Sequence, residues 1–222
     1  MKVVTVAAAK GGSCKSTVAS LLAVRAAMES AKVGMFDLNG DQGSLTQWWL
    51  ARGEPLNPRL LSVEKIGRDV EVARSMNFEW LILDTPPGNL DVIEVAIVKA
   101  DAVVVPVRPS LFDVEAVEAV VEMCRERMRP FAFLLAAVDA RMPKMVDAAV
   151  KELVRRGPVF ATRISYRQDY IQAVGRGKVA FEIEKKGPKG ERPLKDEADA
   201  LWEEAKRLCR TIAPMARERA AQ

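Results

Sequence analysis

The run Lys10-Gly11-Gly12-Ser13-Cys14-Lys15-Ser16-Thr17 constrains this chain more than any other stretch. An apolar segment, Val3–Ala8, leads into it, and a helix-forming segment, Thr17–Ala31, leads out. Strand, glycine-rich turn and helix in that order make a phosphate-binding loop. Backbone N–H groups in such a turn converge on an anion, and the helix N-terminus adds positive potential. In that setting residues 10–17 cradle the phosphates, Lys15 reaches the terminal ones, and the Ser16 hydroxyl ligates Mg²⁺. Two residues are unusual. A second lysine, Lys10, opens the loop, and Cys14 stands where the pattern has its last glycine. If that position is left-handed, a non-glycine residue there costs roughly 1–2 kcal/mol.

Beyond the loop, short runs rich in Val, Ile and Leu alternate with helix-like stretches. The strand-like runs are Val3–Ala8, Val33–Asp37, Leu60–Val63, Trp80–Asp84, Ala102–Val107, Phe131–Val138 and Val159–Thr162. They lack polar alternation, as strands buried on both faces do. Helices are predicted over Thr17–Ala31, Ser44–Ala51, Arg68–Met76, Leu90–Val98, Val114–Met128, Lys144–Arg155 and Lys195–Ile212. The last carries one apolar face through Leu201, Ala205, Leu208 and Ile212. The pattern predicts a doubly wound α/β fold, a mostly parallel sheet with helices on both faces. No repeat or linker divides the 222 residues, so 1–222 reads as a single domain.

Composition removes several chemistries. There is no histidine, which excludes Ser-His-Asp and Cys-His catalysis. Cys14, Cys124 and Cys209 form no C-x-x-C pair, so neither a zinc site nor a disulfide framework is expected, and Cys124 and Cys209 read as buried thiols. No signal peptide and no apolar run near the ~20 residues of a membrane span is visible. The net charge of +4 is localised: residues 163–195 hold nine basic against four acidic residues.

Two aspartates end apolar strands. Asp37 closes Val33-Gly34-Met35-Phe36-Asp37, at the carboxyl edge where open α/β sheets place their ligands. Asp84 closes Trp80-Leu81-Ile82-Leu83-Asp84 and continues Thr85-Pro86-Pro87-Gly88, a Walker B pattern that binds Mg²⁺ through water.

With Lys10 at the head of K-G-G-x-x-K-S/T, the chain resembles the ParA/MinD superfamily of deviant Walker A ATPases, P-loop NTPases of the SIMIBI type. Leu38-Asn39-Gly40-Asp41-Gln42-Gly43-Ser44 is similar to the family's D-x-D-P-Q-G-S switch, with one added residue. Val105-Pro106-Val107-Arg108-Pro109-Ser110-Leu111-Phe112-Asp113 resembles its V-P-x-x-P-S-x-x-D segment, and Phe133–Asp139 its F-x-L-N-R-V-D segment. The resemblance runs from Met1 to about Ile212. It implies ATP and Mg²⁺ as cofactors, Ser16, Asp37 and Asp84 around the metal, and Lys10 crossing a sandwich-dimer interface to the partner's ATP. The family's water-positioning aspartate falls on Asn39 by direct count, or on Asp41 if the added residue is absorbed before Gln42. An amide can orient water but cannot act as a base at neutral pH, so turnover is expected to be weak or slow. Ala136 takes the place of the asparagine that recognises adenine in the family; one such hydrogen bond contributes about 1 kcal/mol. Nitrogenase iron proteins share this fold but need cluster cysteines that are missing here.

The segment Ile164–Phe181 is similar to the tail of small ParA-type partition ATPases, in which a short helix follows the last strand. The resemblance implies non-specific DNA binding by a homodimer formed on ATP, and release by a ParB-like or cargo-adaptor partner. Arg163, Arg167, Arg176, Lys178, Lys185, Lys186 and Lys189 are the candidate phosphate contacts. The implied location is the cytoplasm, on the nucleoid. Two other readings stay open. A MinD-like membrane switch needs an amphipathic C-terminal helix, and Thr211–Gln222, with Pro214 and few bulky apolar residues, supplies a poor one. A non-catalytic adaptor would explain Cys14, Asn39 and Ala136 together.

Overall fold

Along β5, Ala102 and Val104 pack into one apolar cluster while Val103 and Val105 pack into another, so this strand is covered on both faces. That arrangement explains the absence of alternation. The computed structural model describes residues 1–29, 31–40, 43–184 and 193–211. Its strands are β1 (Lys2–Val6), β2 (Val33–Asp37), β3 (Arg59–Leu60), β4 (Trp80–Asp84), β5 (Ala102–Val107), β6 (Phe131–Val138) and β7 (Val159–Ser165). They pair in parallel in the order β3-β2-β4-β1-β5-β6-β7. The helices are α1 (Lys15–Met28), α2 (Ser44–Ala51), α3 (Ile66–Ser75), α4 (Leu90–Lys99), α5 (Leu111–Glu115), α6 (Glu118–Glu126), α7 (Pro143–Arg156), α8 (Gln168–Val174), α9 (Ala180–Ile183) and α10 (Leu194–Leu208).

On one face α1, α2 and α10 bury Leu21, Leu22, Trp48, Leu201 and Trp202 against Val4, Val6 and Val104. The Trp202 ring meets Trp80 edge-on at 4.6 Å. On the other face α4, α6 and α7 bury Ile97, Val121 and Leu153 against Val103, Val105, Phe133 and Leu135. Cys124 and Cys209 are buried, and burial pushes both thiols up to about 12. The doubly wound parallel architecture is therefore the one the sequence predicts.

Several boundaries differ from expectation. β3 is two residues long and lies at the sheet edge beside β2. β7 runs on to Ser165, because Arg163 and Ser165 still pair with Leu135 and Val138 of β6. α1 starts at Lys15, since Val18 N–H already bonds Cys14 O at 2.9 Å. The helix expected over Val114–Met128 is interrupted at Ala116 and Val117, although both keep right-handed backbone angles. α9 carried no sequence signal at all. Among the described residues, no helix is long and apolar enough to cross a membrane. The segment from Ile212 on, where the membrane-switch reading would be decided, lies outside the described residues.

The strand order puts β1 between β4 and β5, with β2 beyond β4. The loops that leave β1, β2, β4 and β5 therefore gather at one carboxyl edge, the ligand edge of such sheets.

Candidate phosphate-binding site

Leaving β1, the chain turns through Gly12 at φ +73° and Cys14 at φ +68°, and α1 begins at once. The left-handed backbone at Cys14 is the conformation that favours glycine. The Cys14 side chain is partly buried, and the Arg108 guanidinium lies over the same turn, beside Gly12. Burial pushes the Cys14 thiol up, against the opposing pull of Arg108 and Lys15. Lys15 is buried and its Nζ donates to Lys10 O at 3.0 Å, so its ammonium is folded under the loop. Ser13 Oγ donates to the same carbonyl at 3.2 Å. Burial depresses the Lys15 ammonium, while the Asp84 charge works the other way.

The loop forms one wall of a cleft of about 300 Å³. Gly11–Thr17 line it, facing Asp37, Asn39, Asp84 and Thr85, with Trp48 from α2 and Val174 from α8 closing the sides. Asp37 and Asp84 are register partners on neighbouring strands, and both are buried. Burial pushes Asp84 up to about 7, against the pull of a hydrogen bond from Ser16. Asp84 Oδ1 has no hydrogen-bond partner. An orphaned buried carboxylate oxygen is costly and calls for a cation.

Asp37 is different. Its Oδ2 accepts from Thr46 N–H at 2.8 Å and Thr46 Oγ1 at 3.0 Å, and its Oδ1 accepts from Asn39 N–H at 3.1 Å. Thr46 is the third residue of α2, whose N-cap is Gly43 and so has no capping side chain. Asp37 caps that helix from the end of β2. A Cβ on Gly43 would lie 2.0 Å from Asp37 Oδ2, so only glycine admits the carboxylate. Asp37, expected in the metal shell, lines the cleft and at the same time accepts from the first turn of α2, whereas Asp84 Oδ1 has no hydrogen-bond partner.

Lys10 is half-exposed, and its Nζ lies 2.7 Å from Asp113 Oδ1. Asp113 is held in turn by Ser110 Oγ at 2.5 Å. Burial would raise the Asp113 carboxyl, but Lys10, Ser110 and the Arg108 charge together hold it below its usual range. The residue opening the loop is thus anchored within its own chain. Asn39 is exposed at the cleft, whereas Ala136 is fully buried in β6, away from the cleft lining. Asp41 lies outside the described residues.

The basic candidates divide. Arg163, Arg176 and Lys178 are exposed. Arg167 is corrected: its side chain is buried, with ion pairs to Glu184 at 2.7 Å and Asp169 at 3.4 Å. A guanidinium so engaged holds α8 to the segment after α9 and is not offered to phosphates. Arg176 and Lys178 flank Gly177 in the turn between α8 and α9, which is tied to α2. Trp48 Nε1 donates to Lys178 O at 2.9 Å, Arg52 to Gly177 O at 2.8 Å, and Arg52 forms a two-point pair with Glu182 at 2.7 Å. Lys185, Lys186 and Lys189 lie outside the described residues. Val174, Arg108 and the Asp37 cap were missed by sequence reasoning. Only Arg108 carried a signal, as a cation directly after the strand beside β1.

A glycine-rich loop feeding a helix at the carboxyl edge of a parallel sheet, facing a strand-end aspartate, defines a P-loop nucleotide-binding domain. Residues 4–181 match CbiA, the CobQ/CobB/MinD/ParA nucleotide binding domain, and the chain belongs to that family. Among solved structures it is similar to the MinD cell division protein of Aquifex aeolicus, at 18% identity and TM-score 0.71 over 96% of this chain and 99% of that one. A Cyanothece McdA variant in complex with ATP shares 18% identity at TM-score 0.69, over 94% and 96% of the two chains. A Borrelia burgdorferi protein described as a plasmid partition protein, bound to AMPPNP, shares 17% at TM-score 0.69, over 93% and 99%. Comparison with curated proteins finds no match.

Proposed function

We propose that the chain binds ATP with Mg²⁺ in this cleft and works as a nucleotide-dependent positioning or partition switch. The observation that carries the reading is Asp84 Oδ1, buried without a partner in a cleft floored by the phosphate loop and Lys15. The similar structures that hold ATP or AMPPNP support it. The residues fit the group: residues 10–17 wrap the phosphates, and Ser16 and Asp84 hold the metal. Mg²⁺ there neutralises phosphate charge and relieves the desolvation of Asp84. Asn39 orients water without taking a proton, so hydrolysis is weak or slow. ATP favours a homodimer that binds DNA without sequence preference through Arg163, Arg176 and Lys178, and a ParB-like or cargo-adaptor protein releases it.

Calorimetric titration of ATP with Mg²⁺ tests the core of this reading. Micromolar binding that Lys15→Ala abolishes supports it, and no binding up to millimolar ATP leaves the non-catalytic adaptor in its place. Its DNA arm predicts that Arg176→Gln and Lys178→Gln each lower the salt slope of DNA binding by about 1. Arg167→Gln should change stability and leave that slope alone.

A further inference from the structure

Three cations surround the phosphate loop, and they are not equivalent. Lys15 is buried beneath it. Lys10 is spoken for by Asp113, itself held by Ser110. The third is Arg108, the residue that follows β5. It stands between Pro106 and Pro109, whose fixed φ angles stiffen the backbone that aims it. Its guanidinium lies over the loop: Nη2, Cζ and Nη1 are 3.4, 3.8 and 3.9 Å from where a Cβ on Gly12 would sit. Its charge also acts on the Cys14 thiol of the same turn. It is exposed, and among the described residues no carboxylate forms an ion pair with it. Asp113 feels its charge without contact.

An exposed arginine with no carboxylate partner among the described residues, lying over an anion-binding turn, is poised for an anion. Its planar fork matches two phosphate oxygens, which a lysine cannot do.

We propose that Arg108 is a phosphate-contacting residue of this site, adding a guanidinium fork to the Lys15 ammonium. The inference rests on the nucleotide-binding reading above and deepens it.

The test is calorimetry of Mg²⁺ complexes of ATP and of inorganic tripolyphosphate, which lacks base and ribose. Wild type, Arg108→Gln, Arg108→Lys and the double variant Arg108→Gln/Asp113→Asn are compared, with Lys15→Ala as the control for the site. Thermal melting confirms that each is folded. The expected result is a loss of about tenfold or more for Arg108→Gln, equal for ATP and tripolyphosphate. Arg108→Lys should recover part of it, as a point charge without the fork. The double variant should also recover part, because Lys10 is released. If wild type binds and Lys15→Ala does not, but Arg108→Gln matches wild type, the assignment of Arg108 is overturned and the nucleotide reading survives. A loss confined to ATP places Arg108 on the base or ribose and overturns the phosphate contact. Failure of wild type to bind either probe overturns both readings.

Discussion

The carboxyl ends of β2 and β4 carry the same residue at the same register position, yet Asp37 and Asp84 are in opposite states. Asp37 is fully engaged by three donors, two of them from the first turn of α2. Asp84 has one oxygen with no partner, and burial has moved its carboxyl up to about 7. The first caps a helix, and the second has an oxygen with no hydrogen-bond partner. Strand position and residue type therefore do not by themselves fix how a carboxylate is engaged. What distinguishes the two is which loop returns over the strand end. The chain after β2 comes back immediately as a helix N-terminus, whereas the chain after β4 leaves through Pro86 and Pro87, which have no N–H to offer.

The comparison can be broken most forcefully by pH. The Asp84 carboxyl is raised from 3.8 to about 7, so the folded state holds a proton that the unfolded state has released. Stability of the metal-free protein should therefore fall as pH rises from about 4 to about 7, by roughly 3–4 kcal/mol, and Asp84→Asn should remove that slope. Urea unfolding across that range checks it, and an unchanged slope in Asp84→Asn would show that Asp84 is not the group responsible. Next in size is Asp37→Ala, which orphans Thr46 N–H and should destabilise by about 2–3 kcal/mol at neutral pH. Asp84→Asn should lack such a cost there, and equal losses in the two variants would erase the distinction. Gly43→Ala should cost about 1–2 kcal/mol by driving Asp37 off the helix. In an Asp37→Ala background the same change should cost almost nothing, so a double-mutant cycle that comes out additive would refute the close approach. The smallest effect is Cys14→Gly. Relief of the left-handed residue, less the added freedom of the unfolded chain, should stabilise by about 0.5–1 kcal/mol in thermal melting.

Much of the architecture was legible in advance. β2, β4, β5 and β6 begin and end where the apolar runs do, because a strand buried on both faces has to be apolar throughout and polar residues mark its ends. β3 and α9 were not legible, since two or four residues stabilised by distant contacts leave no periodicity to read. The cleft shows the same division. That Gly11–Thr17 and Asp84 line the cleft could be anticipated because their pattern is written in consecutive residues. Val174 could not, since it reaches the cleft only when α8 docks beside α1. Arg167 misled because charge is visible in a sequence and burial is not, and Glu184 is seventeen positions away.

By itself, then, the amino-acid sequence determined that this chain builds a parallel sheet around a phosphate loop, with Lys10, Lys15 and two aspartates at its edge. Those properties follow from local spacing and from apolar runs that have no stable alternative to burial. The tertiary structure alone decided what each charge does. It gave Asp37 to α2, left one oxygen of Asp84 without a partner, fastened Lys10 to Asp113 and laid Arg108 over Gly12. The energy of a charge depends on burial and on partners within a few ångströms, and those partners are set by how distant segments pack.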